Sequence, residues 1–92
     1  MATSKIKAGI VYKEFNHAVT VEGNASQGYS LSDLGVTIPT GRTLANIYFA
    51  ISGANSDKGR VTVAGSDYST IVIYNNNSTA RNWTLYMKCL FV

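Results

Sequence analysis

The closing stretch of the chain constrains its fold more than any other feature. In Arg81–Val92, Trp83, Leu85, Met87, Cys89 and Phe91 share one parity, while Thr84, Tyr86 and Lys88 share the other. A period of two places successive side chains on opposite faces of a β-strand, so this stretch reads as a strand with one apolar face. At helical spacing the same residues would be scattered around the circumference. The Trp83 face therefore demands a second layer to cover it. The pattern runs to Val92, which predicts that this end is paired within a sheet.

The same period recurs upstream. In Leu44–Ser52, Ile47, Phe49 and Ile51 face one way, and Asn46, Tyr48 and Ser52 the other. Arg60–Ala64 turns Val61 and Val63 inward, and Ser69–Tyr74 puts Ile71 and Ile73 on one face and Val72 and Tyr74 on the other. At the front, Ile6, Ala8, Ile10 and Tyr12 share a parity opposite Lys5, Lys7 and Lys13. Val19 and Val21 suggest a short second strand, and Tyr29 and Leu31 another. Between these runs lie turn-type clusters at Glu22–Asn24, Gly35, Pro39–Gly41, Gly53–Gly59, Gly65–Asp67 and Asn75–Ser78. Ser32-Asp33-Leu34 is a candidate single helical turn. The expected fold is all-β: an antiparallel sandwich, jelly-roll-like, of seven or eight short strands. With 92 residues, the chain is read as one domain, residues 1–92. The predicted core is Trp83, Leu85, Met87, Ile47, Phe49, Ile51, Val61, Val63, Ile71 and Ile73.

Composition narrows the function classes. A hydrophobic fraction of 46% excludes a disordered chain, and a charged fraction of 14% leaves less self-repelling surface than the ~25% of a typical domain. No apolar run approaches the ~20 residues of a membrane helix, and no apolar leader follows Met1, so neither membrane insertion nor a signal peptide is expected. The single cysteine, Cys89, shares the apolar parity and reads as a buried, inert thiol. The net charge of +3 is a mild excess without the basic stripe of a nucleic-acid binder. His17, the only histidine, lies between two strand patterns and reads as a turn residue. A zinc site needs three or four His, Cys or carboxylate ligands, against which the chain offers one His and one Cys, and Asp33, Asp57 and Asp67 sit in turn contexts where Asp bonds local backbone. No enzyme, metal or cofactor is expected.

Two surfaces stand out. Tyr48, Tyr74 and Tyr86 all fall opposite their strands' aliphatic residues, where a solvated face should be plainly polar. Such a face can be mixed surface, a subunit interface rich in Tyr, or a platform for stacking a saccharide or a base. Tyr74, Asn75, Asn76, Asn77 and Arg81 form the second candidate. A ring offers a sugar an apolar face, Asn amides supply donors and acceptors, and Arg can grip an anionic substituent.

Tyr29-Ser30-Leu31-Ser32-Asp33-Leu34-Gly35-Val36-Thr37-Ile38-Pro39-Thr40-Gly41, leading into a Tyr/Phe-rich strand, resembles the small β-sandwich tip domains of bacteriophage tail fibres and receptor-binding proteins. The terminal strand ending in Cys89-Leu90-Phe91-Val92 fits the same pattern, so the resemblance spans Tyr29 to Val92. No shaft or attachment segment is evident before Met1-Ala2-Thr3, a departure that leaves a stand-alone virion protein and a piece of a longer fibre both open. The resemblance implies homotrimers, binding of host-surface saccharides or proteins, and no catalysis. The expected function is a virion structural and adhesion module, made in the host cytoplasm, that self-associates as a homotrimer and recognises host-surface saccharide. A single-stranded nucleic-acid-binding β-barrel is the alternative.

Overall fold

The computed structural model describes residues 9–65 and 68–92. Lys5, Ile6, Lys7, Ala8, Ser66 and Asp67, which enter the strand and turn expectations above, lie outside the described residues. The chain is all-β and antiparallel, as its periodicity predicts. Six strands are formed among the described residues: β1 (Val11–Val21), β2 (Ala25–Tyr29), β3 (Leu44–Ser52), β4 (Gly59–Ala64), β5 (Thr70–Asn75) and β6 (Arg81–Phe91), with one short 3₁₀ turn at Ser56–Lys58. They make two three-stranded sheets, in the orders β1-β6-β3 and β2-β5-β4. One continuous cluster of buried residues draws on both sheets, which gives the sandwich-like arrangement its core.

Among the described residues the count is six, and the stretch from Val11 to Val21 is one strand where two were expected. β1 runs unbroken from Val11 to Val21 and pairs with β6 along its whole length, Val11 against Phe91 and Val21 against Arg81. His17 sits within it opposite Leu85, so it is a strand residue and not a turn residue. The front parity is also reversed: Ile10 and Tyr12 are 55% and 58% exposed, because Val11, Phe15, Val19 and Val21 supply the inner face.

β6 is the axis of the molecule. Trp83, Leu85, Met87, Cys89 and Phe91 are all buried, and β6 lies between β1 and β3. Val92 and Thr43 exchange both backbone hydrogen bonds at 2.9 Å, so pairing does continue to the last residue. A β-bulge between Leu44 and Asn46 adds one residue to β3. It resets the parity, so Leu44 and Ile47, an odd number of positions apart, both pack on the core.

The Ser32-Asp33-Leu34 turn is a single helix-like turn with both ends capped. At its start, the Ser30 hydroxyl accepts from Asp33 N–H and the Asp33 carboxylate accepts from Ser30 N–H, each at 3.0 Å. At its end, Val36 N–H reaches Leu31 O at 3.0 Å and Gly35 N–H reaches Ser32 O at 3.1 Å, the pairing of a Schellman motif around Gly35 at φ 78. The turn drives Leu34 and Val36 into the core, where both are buried.

The core prediction holds for Ile47, Ile71, Ile73, Trp83, Leu85 and Met87 and fails at one margin. Phe49, Ile51 and Val61 are only half-buried, and Val63 is 38% exposed. These residues have the inward parity but lie on β3 and β4, the adjacent edges of the two sheets, where no further strand among the described residues closes the sandwich.

Candidate functional site

Strand register decides which exposed side chains are neighbours. On the outer face of the first sheet, Glu14, Lys88 and Tyr48 form one cross-strand row, and Asn16, Tyr86 and Ala50 form the next. Tyr48 and Tyr86 stand diagonally, 55% and 47% exposed. Ala50 and Asn16 are short, so the Tyr86 row is low on either side of its ring. The result is an open groove of about 290 Å³ lined by Glu14, Asn16, Tyr48, Ala50, Tyr86 and Lys88. The Lys88 ammonium lies 5.2 Å from the centre of the Tyr12 ring, a cation–π contact that draws it toward the β1 side. The groove thus has aromatic walls, a small-residue floor, and one acid, one base and one amide at its margin.

Tyr74 does not belong to this surface. It lies on β5, opposite Arg60 of β4 and Ser26 of β2, on the outer face of the other sheet. The expected face of Tyr48, Tyr74 and Tyr86 is therefore split, because β3 and β6 share a sheet that β5 does not. The guanidinium of Arg60 caps the Tyr74 ring at 4.5 Å.

The loop candidate is also divided. Asn75 and Asn77 are 1% and 4% exposed and cannot meet a ligand. Asn75 Nδ2 donates to Val21 O at 2.9 Å and Thr79 O at 3.0 Å, while its Oδ1 accepts from the Asn77 backbone N–H and from Asn77 Nδ2, both at 2.8 Å. Asn77 Nδ2 also donates to Asn55 O at 3.3 Å, and the Asn77 backbone carbonyl accepts from Asn24 N–H at 2.8 Å. The two amides tie the end of β1 and two loops together, because buried backbone groups need partners. Arg81 opens β6 opposite Val21, on the other sheet from Tyr74, with its Nε buried and without a hydrogen-bond partner among the described residues. Only Tyr74 and Asn76 remain together, beside Asn24 and Ser26 in a second hollow of about 310 Å³.

Three further titratable groups are shifted by their surroundings. Burial pushes the Cys89 thiol up, which keeps it protonated and unreactive. Asp33 is held below the ordinary carboxylate range, first by the Ser30 N–H, then by the Ser30 hydroxyl and the charge of His17. Burial raises the Tyr29 phenol, with partial compensation from a bond to the Thr20 backbone. No group of three or more His, Cys, Asp or Glu comes together among the described residues.

Sequence reasoning did not single out Glu14, Asn16, Ala50 or Lys88. The alternation of β3 and β6 was legible, but Glu14 and Asn16 fall where the front of the chain was read as two strands, and the adjacency of all four depends on a strand order that places β6 between β1 and β3. No helix among the described residues is long and apolar enough to cross a membrane. No family model, curated protein or solved structure matches this chain.

Proposed function

We propose that this domain is a non-enzymatic adhesion module, of the kind that forms tail-fibre and receptor-binding tips on phage particles, and that it holds host-surface saccharide in the Tyr48–Tyr86 groove. The observation that carries this is the groove itself. Two half-exposed phenol rings flank a floor of Ala50, and Glu14, Asn16 and Lys88 stand at its rim. Rings give a sugar's C–H face an apolar surface to lie on, and the rim groups supply donors and acceptors for its hydroxyls. Glu14 and Lys88 balance in charge, which suits a neutral or mildly anionic glycan better than a polyphosphate. The tip resemblance at Tyr29–Gly41 supplies the virion context, and self-association of the chain belongs to the same proposal.

Water competes for every hydroxyl contact, so a single groove should bind at about 10⁻³–10⁻⁴ M, and adhesion then requires several copies acting together. The experiment is a pull-down on purified cell wall and on immobilised glycans with wild type, Tyr86→Ala, Tyr48→Ala and Asn76→Ala. Retention lost in both tyrosine variants and kept in Asn76→Ala supports the groove. Retention unaffected by either tyrosine variant overturns it. Retention that collapses between ~0.05 and ~0.3 M salt favours the nucleic-acid alternative instead, since phosphate binding weakens steeply over that range.

A further inference from the structure

Among the described residues, four strands are sheet edges: β1, β2, β3 and β4. Edges are kept from pairing with foreign strands by charge, by brevity or by cover. β1 carries Lys13, Glu14 and His17; β4 carries Arg60; β2 is five residues long. Beyond Ile47, β3 has none of these protections among the described residues. Its nine residues, Leu44–Ser52, contain no charge, no Pro and no Gly. Beside it, between β3 and β4, runs a groove of about 430 Å³ lined by half-buried Phe49, Ile51 and Val61.

Among the described residues, the backbone of β3 is open along one short stretch. Because Val92 and Thr43 exchange both hydrogen bonds, alternate β6 residues from Val92 backwards address β3. Their partners Asn46, Tyr48 and Ala50 spend N–H and C=O on β6, while Phe49 and Ile51 point theirs away from the sheet. Nearer the strand's start the outward side is already closed. Asn46 Oδ1 accepts the Ile47 N–H at 2.8 Å, and the Tyr68 hydroxyl sits 3.1 Å from the same oxygen.

We infer that this edge pairs with the β3 edge of a second copy of the chain, antiparallel about a two-fold axis at Ala50. The stretch is complementary to itself in that register. Phe49 meets Ile51 of the second copy in both halves, so two pairs exchange two hydrogen bonds each and use the outward groups of both residues. On the inner face Phe49 packs on Ile51; on the outer face Tyr48 lies against Ser52, and the two Ala50 methyls meet on the axis with no bulk between them. Neither strand brings a charge to the contact. A two-fold contact of this kind is closed and adds no further copies, in place of the trimer that the sequence suggests. About six residues of strand, ~20 Å, by a two-layer height of ~20 Å gives roughly 400 Å² per copy, the size of a weak, micromolar association.

The pairing has a consequence for the proposed saccharide groove, on which this part alone rests. The row Asn16–Tyr86–Ala50 continues across the axis into its copy, so two grooves join on one face. Their Tyr86 backbones lie three strand spacings, about 14 Å, apart.

The test is sedimentation velocity at ~5–500 μM on wild type, Ala50→Glu, Ala50→Lys, an equimolar mixture of the two, and Tyr86→Ala. Ala50 is exposed on the isolated chain, so each single variant should melt as wild type does. Wild type should dimerise with a dissociation constant of about 10–100 μM. Ala50→Glu and Ala50→Lys should each weaken association at least about tenfold, since like charges meet on the axis. The mixture should restore it, and Tyr86→Ala should dimerise as wild type does. Wild type monomeric at ~500 μM overturns the inference, as does association that both Ala50 variants leave intact. Loss of glycan retention in Tyr86→Ala with dimerisation preserved separates groove from edge.

Discussion

The indole of Trp83 fills the space that a side chain at Gly59 would need. A Cβ built on Gly59 lies 2.9 Å from both Cη2 and Cζ3 of the ring, and one built on Gly53 lies 2.8 Å from its Cδ1. The same ring donates its Nε1–H to the Ala54 carbonyl at 2.8 Å. Trp83 thus seats the Gly53–Gly59 corner by which the chain passes from one sheet to the other.

Gly59 has ordinary extended dihedrals, φ −99 and ψ 155, so alanine there is unstrained and any cost is steric. Gly59→Ala should destabilise by about 1–3 kcal/mol, the usual penalty of overpacking. Trp83→Phe shrinks the ring and should absorb much of that penalty, at its own cost. A double-mutant cycle by urea unfolding should therefore show a favourable coupling of at least ~0.5 kcal/mol. Strict additivity would count against the contact.

Asn75 and Asn76 should behave as opposites despite being adjacent. Asn75→Ala strips the Val21 and Thr79 carbonyls of a buried donor and should cost about 2–4 kcal/mol. Asn75→Asp turns a carboxylate toward those carbonyls and should cost at least as much. Asn76→Ala, at an exposed position, should stay within about 0.5 kcal/mol of wild type. Denaturant midpoints for the three variants decide this.

Asp33 should make stability depend on acid. Its folded-state pKa is depressed below the ordinary 3.8, so its contribution is present above that value. As pH falls below 3.8 through the folded value, the proton enters the unfolded state first and the contribution is lost. Asp33→Asn should flatten this part of the melting-temperature profile and leave the profile above pH ~5 parallel to wild type. An unchanged acid limb would remove the Ser30–Asp33 cap as its cause.

Cys89 should ignore thiol reagents in the native state. It is fully buried in β6 and its thiol is pushed up by burial. A colourimetric disulfide reagent should modify one thiol per chain in ~6 M guanidinium and react at least about a hundredfold more slowly in buffer. Equal rates would mean that the β6 face opens readily.

Alternation in β3, β4, β5 and β6 was legible in the sequence because a one-residue slip would turn a whole apolar set to water. That local pressure determined the all-β class, the buried face of the closing strand and the inert thiol, while the turn at Ser32–Leu34 follows from its own capping residues. Parity says only that a side chain points out; it does not say onto which sheet. Tyr48 and Tyr86 became neighbours, and Tyr74 did not, through the β1-β6-β3 and β2-β5-β4 orders, which are set by contacts far apart in the chain. Burial of Asn75 and Asn77 likewise came from carbonyls on distant segments that needed donors, a requirement no local run of amides reveals. Phe49, Ile51, Val61 and Val63 carry core parity and remain partly exposed because sandwich edges, unlike strands, have no period to read.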